Sequence, residues 1–194
     1  MYRGKLPDYV ASLFSVGAVA IPGFWLGIMF ILLFGVTLGW LPVQGYVAFG
    51  DSPLGWLRHM VLPAVAMGVG SSALVMRQTR SAMLEVFAQD YVRTARAKGM
   101  PNTVVIWIHT LRNALLPVVT VLGLQVGHVF AGAVVIETLF GIPGMGRLLV
   151  QAIFERDFPI VQAAVLVMAL AVLVANLVTD LVCAWLDPRI KYSV

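Results

Sequence analysis

Four stretches of this 194-residue chain contain no Asp, Glu, Lys or Arg, and they constrain the fold more than any other feature. They cover 9–50, 59–76, 113–136 and 158–179, which is 42, 18, 24 and 22 residues. A membrane-spanning helix needs roughly 20 apolar residues, within a range of about 17–25. Each stretch therefore holds one helix. The first is too long for one span and too short for two with a turn; Gly39-Trp40-Leu41-Pro42 ends it. The predicted helices lie near 11–38, 59–76, 113–136 and 158–186. Val43–Gly50 is then an external loop, with Trp40 at the membrane interface. The expected fold class is all-α, a polytopic membrane protein of four transmembrane helices.

Composition agrees. Sixty per cent of the residues are hydrophobic, 11% are charged and mean hydropathy is +0.93. A soluble domain carries about 25% charged residues. Soluble enzymes, disordered tails and disulfide-stapled secreted domains are excluded, and the single cysteine, Cys183, forms no intrachain bridge. Met1–Pro7 has basic residues, but the long apolar stretch after it contains Pro22-Gly23 and Trp25 and lacks the short core of a secretory signal. It reads as a mature, kinked helix.

Four spans put both termini on one side. Arg3, Lys5, Arg77, Arg80, Arg93, Arg96, Lys98, Arg112, Arg189 and Lys191 share that side; Arg58, Arg147 and Arg156 lie on the other. The positive-inside rule makes the ten-residue side cytoplasmic. The basic pI of about 9.6 then reflects topology, and no nucleic-acid partner is expected.

The second helix carries Ala64, Gly68 and Ser72, and the third carries Gly123, Gly127 and Ala131. Small residues at every fourth position let helix backbones approach in lipid. These six read either as packing within the chain or as a seam that slides during transport. Within the spans only His128 is ionisable at depth, as a hydrogen-bonded structural residue or a proton relay; Asn176 and Asp180 lie near the cytoplasmic end of the fourth helix. So empty an interior argues against an ion-coupled carrier. No phosphate loop, zinc-type spacing or nucleophile elbow is present, so neither catalysis nor a cofactor or metal is expected.

The cytoplasmic loop 77–112 is not a plain linker. Leu84, Phe87, Ala88, Tyr91, Val92 and Ala95 fall on one helical face, with Glu85, Gln89, Arg93 and Arg96 opposite. Gly99 stops that helix as a C′ glycine, Pro101 follows, and Asn102 can cap a second helix through Val104, Val105, Ile108, Leu111 and Leu115. This helix-turn-helix would dock a soluble partner or lie on anionic lipid. In the external segment 137–157, Gly141-Ile142-Pro143-Gly144 reads as a turn. Gly146–Glu155 reads as a short helix with Leu148, Leu149, Ala152 and Ile153 inward, either a seal of the outer face or a gate.

Arg93-Thr94-Ala95-Arg96-Ala97-Lys98-Gly99, followed by Ala114-Leu115-Leu116-Pro117, resembles the EAA loop of ABC-importer permeases, with Arg93 at the motif's Glu, Thr94 at its first Ala and Ala114 at its Ile. Gln89–Gly99 with Leu111–Pro117 is similar to one branch, the dipeptide, oligopeptide and nickel permeases. So are Ile21–Gly27, Leu38–Pro42, Pro143–Leu149, Arg156–Pro159 and Leu186–Ile190. The resemblance implies a type I permease core in the bacterial inner membrane, with no enzymatic activity of its own. Its implied partners are a second permease subunit, two ATP-binding subunits and an extracytoplasmic substrate-binding protein. Asp90, Tyr91, Arg93, Thr94, Ala95, Arg96, Ala97, Lys98 and Gly99 would form the coupling helix seated in a cleft of the ATPase. Members of that family begin with further helices, so the resemblance also implies a chain lacking them. A membrane scaffold that recruits a cytosolic protein through 77–112 is the alternative from another class.

Overall fold

The computed structural model describes residues 6–186, all of whose regular elements are helical. Three helices are long and apolar enough to cross a membrane: Pro53–Phe87, Asn102–Phe140 and Phe158–Leu186. A bent pair near the start of the chain is also apolar enough, taken together.

That pair replaces the single kinked helix expected over 11–38. Helix α1 (Leu6–Ala20) ends before Ile21-Pro22; α2 (Gly23–Phe30) then starts and continues as a π-helical turn, Ile31–Thr37. The two pieces meet at 93°. Pro22 has no N–H to give the preceding turn, and its ring obstructs helical continuation. A glycine follows, so α2 can settle close to a neighbour: a Cβ on Gly23 would lie 3.4 Å from the Ala66 carbonyl oxygen.

Helix α3 (Pro53–Phe87) is continuous for 35 residues, about 52 Å at 1.5 Å per residue. Its start is fixed by Ser52, whose hydroxyl accepts the Gly55 N–H at 3.1 Å, with Pro53 in the first turn. The run Asn102–Phe140 has 39 residues: α5 (Asn102–Val104), a π-helical segment Val105–Leu111, and α6 (Arg112–Phe140). Both helices far exceed the roughly 30 Å of a bilayer core. They absorb most of the expected loop 77–112, leaving Ala88–Pro101 between them.

Helix α7 (Met145–Glu155) follows a turn at Gly141, and α8 (Phe158–Leu186) follows Arg156, both turn residues in the left-handed region. The core is small: Leu62 and Ala66 of α3 meet Ile136 and Phe140 of α6, with Phe30, Ile31 and Phe34 from the first segment over them. The outward face of α8 is mostly aliphatic, including Leu166, Leu170, Leu173, Leu177 and Leu181, with Gln162, Asn176 and Asp180 also exposed.

Candidate functional site: the loop between the long helices

Where α3 ends, Gln89 turns extended (φ −71°, ψ 146°) and α4 (Asp90–Ala97) starts in a new direction. The apolar period read as one helix from Leu84 to Lys98 thus spans two helices. Val92 and Ala95 of α4 are buried against Val105 at the start of the next run, with Val86 and Phe87 closing the cluster. Burying a valine side chain contributes about 1.5–3 kcal/mol. Tyr91 and Ala88, expected on the same face, are exposed. Tyr91 instead reaches across, its hydroxyl donating to the His109 carbonyl at 3.4 Å.

Gly99 ends α4 at φ +74°. The Gly99 N–H donates to the Arg96 carbonyl at 2.9 Å and the Met100 N–H to the Ala95 carbonyl at 3.3 Å. These are the paired bonds of a Schellman cap. Pro101 then opens the following helix; Asn102 makes no side-chain cap, contrary to expectation.

The expected coupling residues therefore divide. Asp90, Tyr91, Arg93, Thr94, Arg96, Ala97, Lys98 and Gly99 are exposed, whereas Ala95 is buried and holds α4 in place. Arg93 pairs with Asp90 at 3.6 Å in full solvent, a contact that adds little stability. The Arg96 guanidinium lies 5.2 Å from the centre of the Phe87 ring, tying α4 back to the end of α3.

The small residues divide as well. Ala64 and Ser72 are exposed, and a Cβ on Gly68 would meet nothing within 4 Å. The inward face of α3 runs through Leu62, Ala66 and Ala73 instead. Gly123 is buried so tightly on Thr179 of α8 that an added Cβ would overlap it. Gly127 leaves ordinary room, 3.8 Å from Val172 to such a Cβ, and Ala131 is exposed.

At the far end of α6 lies a junction that sequence reading missed. The Glu137 carboxylate accepts the Arg147 N–H at 3.0 Å in the first turn of α7, and Arg147 Nη1 donates to the Gly141 carbonyl at 2.8 Å. Gln44 and Gly45 donate to the Leu139 and Phe140 carbonyls at 2.8 and 2.9 Å, pinning the 41–46 loop there. An acid closing an apolar helix, with glycine seven residues on, was the available signal: a Cβ at Gly144 would strike the Glu137 carboxylate. Within α7, Ala152 is buried and Leu149 half-buried, but Leu148 and Ile153, expected inward, are exposed.

Three helices long and apolar enough to cross a membrane, two of them joined through a short charged helix, are the architecture of a polytopic membrane protein. The chain belongs to the family of binding-protein-dependent transport system inner membrane components, whose pattern matches residues 1–192. It is 48% identical to a Brucella abortus protein bearing the name of a peptide transport system permease, across 95% of this chain and 58% of that one. It is 43% identical to the di/tripeptide transport system permease protein of Pseudomonas aeruginosa, across 98% and 63%. It is also 41% identical to the glutathione transport system permease protein of Escherichia coli K12, across 100% and 60%. The chain thus spans about three fifths of the length of the curated relatives it matches.

Proposed function

We propose that the chain is a membrane-spanning subunit of an ATP-driven importer, forming part of the path for peptides or a related small solute and coupling to a separate ATPase. In this reading the bent pair counts as one span beside the three long helices, and the ten-to-three basic asymmetry favours both termini on the cytoplasmic side of the bacterial inner membrane. A second permease subunit completes the path, two ATP-binding subunits dock on the 88–101 turn, and an extracytoplasmic binding protein delivers substrate. Hydrolysis of ATP belongs to the partners.

One observation carries this reading: α4 is a short polar helix packed between two helices long and apolar enough to cross a membrane. Its inner residues, Val92 and Ala95, anchor it, and its outer ones, Arg93 and Lys98, are exposed and can meet an acidic rim. A push on α4 is transmitted along α3 and α6 because neither helix is interrupted by a loop. The peptide class rests on the relatives, whose names specify di/tripeptides and glutathione.

The test is reconstitution of the assembled subunits in vesicles with labelled dialanine and glutathione. Arg93→Glu with Lys98→Glu should leave insertion intact, strip the ATPase during purification and abolish uptake. Wild-type docking and uptake in that variant would show that energy enters elsewhere.

A further inference from the structure

The break between α1 and α2 opens onto a cleft of about 190 Å³ between α2, α3 and α6. That is well above the roughly 10–15 Å³ that one water needs. Gly23 beside the break packs at Ala66, 13 residues into α3 and so about 20 Å from its start. The cleft is thus beside the middle of the uncharged run 59–76, the depth of the proposed span. Interrupted backbone is tolerated there only when buried in protein or lining a water-filled cavity, and Ile21 and Pro22 are exposed in this chain.

None of the described lining residues is charged; Ser71 and His128 are the polar ones, among Phe24, Met67, Val129 and Ile136. His128 Nδ1 lies 3.2 Å from the Leu124 carbonyl oxygen, which can only accept, so Nδ1 carries the proton. In the neutral ring Nε2 is left as an acceptor. Gln125 donates to the Ser71 carbonyl at 3.1 Å, holding α6 to α3 below the ring. A ring nitrogen acceptor and a hydroxyl in one cleft without Asp, Glu, Lys or Arg match the N–H and C=O of an amide. His128 also stands on an exposed stripe of α6 with Leu124, Ala131, Val135 and Thr138.

We infer that this cleft is a water-accessible station on the transport path that takes an uncharged amide of the passing substrate, with His128 Nε2 and the Ser71 hydroxyl as its hydrogen-bonding groups. The ligand class rests on the peptide reading proposed above; the wet cleft does not. The test uses the assembled transporter in vesicles, with Cys183→Ala as background. A cysteine is placed at His128 or, as a lipid-facing control, at Leu170, and reacted with a charged methanethiosulfonate. His128→Cys should react at least roughly tenfold faster than Leu170→Cys, equivalent to one unit of thiol pKa between wet and lipid surroundings. Saturating dialanine should slow it. Separately, His128→Leu should raise the half-saturating dialanine concentration about fivefold, the worth of one hydrogen bond, and His128→Gln, which keeps an acceptor, should restore it. Equal labelling at the two positions overturns the inference. So does an unchanged labelling rate under dialanine in vesicles that take dialanine up. A wild-type assembly that takes up no peptide, yet labels rapidly at His128→Cys, removes the peptide reading while the wet cleft stands.

Discussion

Gly123 of α6 is in contact with Thr179 of α8 so intimate that no side chain fits between them. Thr179 cannot swing away freely, because its hydroxyl donates to the Ala175 carbonyl at 2.8 Å. In lipid, where no hydrophobic force presses helices together, such close approach is what holds them. Gly123→Ala should therefore lower the thermal stability of the detergent-purified chain, overpacking typically costing about 1–3 kcal/mol. Gly127→Ala, one turn on, meets Val172 at ordinary distance and should leave the midpoint unchanged. Equal midpoints for the two variants would mean that α6 and α8 do not pack at Gly123.

At Gly99 the constraint is backbone alone, since an added Cβ meets nothing within 4 Å while φ is +74°. Gly99→Val should cost roughly 1–2 kcal/mol locally and misdirect α4, with loss of ATPase co-purification. Gly99→Asn should retain docking, because asparagine enters the left-handed region readily. If asparagine fails as badly as valine, the turn is not what limits docking.

Glu137 holds the first turn of α7 from another helix, replacing the side-chain cap that Gly144 cannot supply. Glu137→Ala should cost about 0.5–2 kcal/mol, the worth of an N-cap. Amide exchange should quicken over 145–150 and stay unchanged in α4. Unaltered exchange over 145–150 would show that α7 is held by packing alone.

The proposed orientation is open to labelling on the Cys183→Ala background. Asp51→Cys is preferable to its neighbour Ser52, whose hydroxyl caps α3. Asp51→Cys should react with an impermeant thiol reagent from outside the cell, and Thr103→Cys only after the membrane is opened. Reaction of both from one side would rule out α3 as a span.

Much was legible because hydropathy is a sum over neighbours in the chain. The runs 59–76, 113–136 and 158–179 all lie inside the three long helices, and Gly99 stands in the left-handed turn its position before Pro101 suggested. A cost of water exposure, or of a positive φ, is set by the residues themselves and needs no fold to be evaluated.

What the sequence could not decide was direction and partner choice. The apolar period continued past Ala88, so the end of α3 from Leu84 and α4 read as one helix, where Gln89 in fact turns the chain; Pro22 marked a kink but not its 93°. Nor could spacing tell Ala64-Gly68-Ser72, left outward, from Ala66 and Ala73, packed inward, or single out Gly123 from Gly127. In water the polar face of a helix identifies the apolar one that must be buried. In a bilayer both faces are apolar, lipid satisfies either, and only the fit against a neighbouring helix selects between them.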